Sequence, residues 1–309
     1  MCLKGKVLLF VILFCNLLSY GQTTKGLDPL IQNVYNRNYT TLSGYWNYLV
    51  DPLETGYYDY RRRENPDGFF KDHQVDNLKT YKEYDFDTAP VMPIPGDWNT
   101  FSDNLFLYEG TLWFRRQFLH TPKPNTKVYL YFGASNYDTK VYLNGEKVGM
   151  HEGGFTPFNF DVTNLIKSGN NKLIVKVDNK RRADGVPTDN SDWFNYGGIT
   201  REVMLVEVPQ TFIQSYKVQL KKGTANTLEL KVQLSEKAAG QSVTIEIPEL
   251  KIKQTLTTDA SGQATAEVKA NPSLWSPESP KLYDVKIASA TDAVNDEIGF
   301  RTIETRRRE

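Results

Sequence analysis

Asn144-Gly145 stands between Thr139–Leu143 (TKVYL) and Lys147-Val148. Both central positions of a type I′ turn need φ > 0, and Asn-Gly between two Val- and Tyr-rich runs is the strongest short hairpin signal a sequence can carry. An antiparallel hairpin is therefore fixed here, and the neighbouring text is of the same kind. Lys127–Phe132 (KVYLYF), Leu173–Val177 (LIVKV) and Val203–Val208 (VMLVEV) are further strand-like runs. No amphipathic helix of about 12 or more residues breaks the series. Short strands separated by turns, with no helical layer to cover them, predict an all-β domain, a β-sandwich of the jelly-roll type over residues 41–209.

Pro209 marks a change of texture. Ile213–Leu220, Leu228–Leu234, Val243–Ile247, Ile252–Leu256, Ala264–Val268 and Leu282–Ile287 follow, most of them alternating apolar residues with Lys, Gln, Glu or Thr. Lys222-Gly223 and Ser261-Gly262 punctuate them. About seven short strands over residues 210–305 predict an immunoglobulin-like β-sandwich, without the internal Cys-Trp-Cys of antibody domains. Two domains agree with 309 residues at ~150 per domain.

The N-terminus has a different character. Lys4 and Lys6 precede an apolar run from Val7 to Cys15, and Ser19-Tyr20-Gly21 offers a small-x-small cleavage pattern before Gln22. Residues 1–21 are expected to be a secretory signal peptide, too short for a span of ~20 residues, and no other segment approaches one. The rival, a lipoprotein anchor at Cys15, is disfavoured by the bulky Phe14 before it. An exported, periplasmic or extracellular chain is the expectation. Cleavage removes both cysteines, Cys2 and Cys15, so no disulfide frame, thiol nucleophile or thiolate metal site remains. Residues 22–40 are polar and weakly patterned, a linker or an arm lying on the first domain.

Charge excludes one class of partner. Lys+Arg and Asp+Glu are 37 each, and cleavage leaves 35 positive against 37 negative, so no basic excess is available for nucleic acid or an anionic bilayer. His73, His120 and His151 are the only histidines, and none has zinc-site spacing or a neighbouring nucleophile. There is no Walker loop and no strand-GxGxxG-helix unit, so no metal and no cofactor is expected. Gly153-Gly154 and Gly197-Gly198 are taken as backbone requirements and Arg61–Arg63 and Arg306–Arg308 as solvated charge.

Several segments, in order, carry a resemblance. Residues 94–98 (IPGDW), Tyr108-Glu109-Gly110 and Leu112–Arg116 come first; residues 141–163, Gly169-Asn170, Val177-Asp178-Asn179 and Val186-Pro187 follow. Residues 191–201 (SDWFNYGGITR), 274–283 (LWSPESPKLY) and 299–305 (GFRTIET) complete the set. Together they resemble the non-catalytic front half of glycoside hydrolase family 2, the β-glucuronidases and β-galactosidases. The resemblance implies a sugar-binding jelly roll and an immunoglobulin-like domain ahead of a (β/α)₈ barrel that carries both catalytic glutamates. The chain stops at Glu309, so residues 306–309 are expected to be the start of that barrel and the chain to hold no catalytic residue. It also implies a substrate contact: in the family an aspartate before the Tyr/Ser-Gly/Ala-Gly-Ile segment projects into the sugar pocket, and Asp192 occupies that place. A carboxylate on a loop, flanked by Trp193, Phe194 and Tyr196, can accept sugar hydroxyls beside an aromatic face. The alternative is a carboxylate that caps its own loop.

The expected function is the N-terminal part of a retaining exo-β-glycosidase acting on a β-linked glycoside, glucuronidase-like first because of the Asp-Trp-Phe-Asn-Tyr wording, galactosidase-like second. A free-standing carbohydrate-binding module is the rival reading. Self-association, up to a homo-oligomer, is expected if a barrel-facing surface is left bare.

Overall fold

Asn144 and Gly145 adopt φ values of 54° and 88°, and Leu143 faces Glu146 across the turn, so the hairpin is formed as expected. The computed structural model describes residues 28–64 and 85–303. The expected signal peptide, His73 and Arg306–Arg308 lie outside the described residues. The chain is 46% strand and 5% helix, an all-β protein.

Ten strands among the described residues build the first sandwich: β1 (Asn38–Thr41), β2 (Gly44–Val50), β3 (Val91–Ile94), β4 (Thr111–His120), β5 (Thr126–Phe132), β6 (Asp138–Leu143), β7 (Glu146–Glu152), β8 (Phe158–Asp161), β9 (Gly169–Asp178) and β10 (Val203–Pro209). One sheet has the order β3-β2-β4-β9-β6-β7 and the other β1-β10-β5-β8, with every pairing antiparallel. Leu112 and Phe114 of β4, Val141 of β6 and Val175 of β9 point between the sheets and meet Trp46, Phe132 and Phe158.

The larger sheet is buried on its outer face as well. Trp113, Tyr142 and Ile174 form a second apolar layer there with Tyr57 and Phe86. Burial on both faces explains why β4, β6 and β9 lack clean alternation in the sequence. Residues 51–64 strap this face. Asp51 fixes the strap, its carboxylate accepting the N–H of Thr55 (2.9 Å) and Gly56 (3.1 Å) and the indole of Trp113 (2.9 Å). Lys176, from β9, is buried beneath it and meets Glu54 at 2.9 Å. The arginines of the strap are largely exposed, with Arg63 paired to Asp59 at 2.8 Å.

Seven strands among the described residues build the second sandwich: β11 (Ile213–Leu220), β12 (Thr227–Leu234), β13 (Ser242–Ile247), β14 (Ile252–Thr257), β15 (Gln263–Lys269), β16 (Tyr283–Ser289) and β17 (Ala293–Ile298). β11-β12-β15 faces β14-β13-β16-β17 over Leu228, Leu230, Val243, Ile245, Val285 and Ile287. Here one face of each sheet meets solvent, and the period-2 pattern is clean.

Residues 28–37 tie the two sandwiches together. Ile31 and Val34 bury themselves against Tyr131, Met204 and Val206 on the outer face of the smaller first-domain sheet. From the same segment Arg37 reaches Asp292 (2.9 Å) and Asn33 donates to the Asn295 carbonyl (2.8 Å) in the second sandwich.

Candidate functional site

β9 and β10 belong to opposite sheets, so the chain between them, residues 179–202, must cross the end of the first sandwich. A crossing loop carries backbone groups that no ladder satisfies, and buried side-chain amides take over that work. Asn179 is fully buried; its Oδ1 accepts the Gly110 N–H (2.8 Å) and its Nδ2 donates to the Asn195 carbonyl (2.8 Å). Asn195 returns a bond to the Asn179 carbonyl. Asn136 donates to Asn195 Oδ1 (3.0 Å) and to the Tyr196 carbonyl (2.5 Å). Asn99 lies on a single helical turn, α1 (Trp98–Phe101), which Asp97 caps by accepting the Thr100 N–H at 2.8 Å. Its Oδ1 accepts the Gly197 N–H at 2.8 Å.

Gly198 holds a positive φ of 150°, as expected, against the backbone of Gly96, whereas Gly197 has no positive φ and is required because a Cβ there would stand 2.0 Å from the Trp98 ring. The segments IPGDW, VDN and YGGI therefore meet in space: they supply Trp98, Asn179 and the glycines that hold one loop.

Beside that loop is a cleft of about 180 Å³ that Asp192, Glu109, Arg181 and Asn99 line together with Phe106 and Trp193. Asp192 is exposed at its rim. Among the described residues its carboxylate accepts no hydrogen bond, so the loop is held by other groups and not by a cap from Asp192. Glu109 and Arg181 were not singled out as site residues in the sequence. Nothing periodic marks them; they lie 72 positions apart and meet as an ion pair at 2.9 Å.

The rest of the rim is apolar. Phe106 packs on Phe194 (centroids 5.3 Å apart) and Phe194 on Tyr196 (4.7 Å), while Trp193 and Leu107 are 76% and 80% exposed. These exposed side chains form an apolar patch of the kind found at interaction surfaces and ligand grooves.

The two described histidines lie elsewhere. His120 is buried at the end of β4, 3.6 Å from Glu207. His151 stacks on Phe158 at 4.1 Å, and burial holds its pKa below 6.5, keeping the ring neutral near pH 7. No group of three or more His, Cys, Asp or Glu side chains among the described residues is arranged to hold a metal ion. A wider depression of about 650 Å³ lies over Asp284, Lys286, Asn295 and Glu297 on the outside of β16 and β17. It is a shallow polar face without an aromatic wall, and we place the site at the smaller cleft.

Residues 42–209 match the sugar binding domain of glycosyl hydrolases family 2, and residues 211–301 match a second domain of the same family. The chain belongs to glycosyl hydrolase family 2. A putative beta-glucuronidase of Formosa agariphila is 34% identical over 62% of this chain and 25% of its own length. A beta-galactosidase of Thermoanaerobacter pseudethanolicus is 30% identical over 75% of this chain and 34% of its own length. Among solved structures, Bifidobacterium dentium beta-glucuronidase complexed with coumarin-3-O-glucuronide superposes with a TM-score of 0.71 at 23% identity, over 88% of this chain and 49% of that one, and so shares the fold. The chain spans between 17% and 47% of the length of these and other curated family 2 relatives. No helix among the described residues is long and apolar enough to cross a membrane.

Proposed function

We propose that the chain is the non-catalytic N-terminal part of an exported, retaining exo-β-glycosidase, glucuronidase-like in the first place. Its two sandwiches buttress a catalytic barrel, and Asp192 forms part of the wall of the sugar pocket. The observation that carries this reading is the carboxylate of Asp192, unpaired among the described residues and presented beside Trp193 on a loop whose following turn, Asn195–Gly198, is fixed by buried asparagines. A carboxylate so placed has free lone pairs for sugar hydroxyls, and an aromatic face suits the apolar side of a pyranose ring.

Asp192→Ala in the complete enzyme tests it. Loss of charged hydrogen bonds costs about 1.5–3 kcal/mol, so kcat/KM is expected to fall roughly tenfold or more. The loss is larger for the natural sugar than for one lacking the contacted hydroxyl, and specificity relaxes. A variant with a lower melting temperature but unchanged discrimination per folded molecule removes Asp192 from the site.

The bare rim carries a second expectation. With Leu107, Trp193 and Tyr196 uncovered, purified residues 22–309 are expected to self-associate as concentration rises. Sedimentation velocity measures this; a strictly monomeric chain at high concentration counts against a barrel-facing surface here.

A further inference from the structure

We infer that Arg181 is the positioning residue for Asp192, gripping the backbone on both sides of it; this rests on the sugar-contact reading of Asp192. The guanidinium makes three bonds. Nη1 donates to the Ser191 carbonyl, Nη2 to the Trp193 carbonyl at 2.6 Å, and Nε to Glu109 Oε1 at 2.9 Å. The Ser191 carbonyl belongs to the peptide unit just before Asp192 and the Trp193 carbonyl to the unit one residue beyond it, so one planar fork holds the backbone on both sides of the residue that reaches for sugar.

The rest of the loop's support lies further on, at Asn195–Gly198. Within 189–194 the remaining bonds are local, Ser191 N–H to the Thr188 carbonyl (3.0 Å) and Trp193 N–H to Ser191 Oγ (3.3 Å). Among the described residues, every hydrogen bond from 189–194 to the body of the domain therefore runs through Arg181. Glu109 completes the device from the other side of the cleft. It anchors the guanidinium close to the start of β4 and neutralises it, which leaves Asp192 as the unanswered charge of the cleft. Arg181 thus acts through Asp192 and is not a receptor for an anionic substrate group. A lysine cannot replace it, because an ammonium group is a point donor without the fixed fork that spans two carbonyls.

The 309-residue chain and the complete enzyme give separate readouts. In the chain, Arg181→Ala is expected to speed exchange of the two hydrogen-bonded amides beside Asp192, those of Ser191 and Trp193, about tenfold or more while the bonded amides of Gly197 and Gly198 keep their protection. Unchanged exchange at Ser191 and Trp193 overturns the inference whatever Asp192 does.

In the enzyme, Arg181→Ala is expected to lower kcat/KM about tenfold, with the same relaxed sugar discrimination as Asp192→Ala, Arg181→Lys to recover little, and Glu109→Gln to fall between. The deciding measurement is the double variant: in the Asp192→Ala background, Arg181→Ala is expected to cost nothing more. Fully additive losses overturn the inference, because a residue that acts through Asp192 has nothing left to position. If Asp192→Ala relaxes discrimination and Arg181→Ala does not, the positioning inference falls alone. If Asp192→Ala is silent, the sugar reading falls and takes the positioning role with it.

Discussion

Purified residues 22–309 are expected to release no product from aryl β-glucuronides or β-galactosides above background. Retaining hydrolysis needs two carboxyl groups about 5–5.5 Å apart on either side of the bond, one of them kept protonated as the acid. The cleft offers Asp192 and Glu109, and Glu109 is engaged by Arg181 at 2.9 Å instead of facing a bond to be cleaved. Asp192 stands exposed at the rim, without the enclosing wall that a glycosidase sets around its acid. Enzymes take roughly 8–23 kcal/mol off a barrier, and a wall of a sugar pocket supplies binding contacts without that chemistry. Turnover that persists through a clean preparation and disappears with Asp192→Ala would overturn the proposed division of labour. Sugar binding by the isolated chain, at the affinity of a dedicated module and without turnover, would favour the carbohydrate-binding alternative.

The strands were legible wherever one face meets water. β11, β12 and β16 alternate cleanly because each presents one side to solvent, and Asn144-Gly145 announced its turn because few other residue pairs suit two positive φ values. β17 was passed over: only Val294 faces the core squarely, and Asn295, Asp296 and Glu297 dilute the pattern of a strand that has a partner on one side alone. The strap over residues 51–64 was also missed. Its order comes from Asp51 and Glu54 meeting Trp113 and Lys176 across the sheet, contacts between positions 62 and 122 apart that leave no local signature.

The site shows the same division. Asp192 stands out in the sequence only through a resemblance, and of the glycines beside it Gly198 holds the positive φ that a glycine pair suggests. The groups that hold the loop, Asn99, Asn136, Asn179 and Arg181, sit in loops or on a single turn of helix, where no periodicity distinguishes a buried amide from a solvated one. Only the fold reveals that they converge.

Glu54→Gln is expected to destabilise the chain by about 3 kcal/mol near pH 7, because removing one partner of a buried pair leaves the other charge uncompensated. Among the described residues Lys176, with a side chain 2% exposed, then keeps Asp178 at 3.9 Å as its remaining carboxylate and the face of Tyr57 at 5.1 Å. The double variant Glu54→Gln, Lys176→Met is expected to regain most of the loss, since a neutral pair of similar volume needs no desolvated charges. Acid titration separates this from a simple packing defect. Burial alone would raise the Glu54 carboxyl, but Lys176 and then Lys180 outweigh it and hold its pKa below 4.5 in the folded chain. A carboxylate with a lowered folded pKa stabilises fully above its unfolded value and loses that contribution as pH falls through the folded one. Melting curves of the natural chain and Glu54→Gln should therefore lie furthest apart near pH 7, keep that separation down to about pH 4.5, and draw closer below it. A gap independent of pH across that window would mean that Glu54 holds the strap by shape, and that the charge beneath it on β9 contributes nothing to closing the face of the sheet.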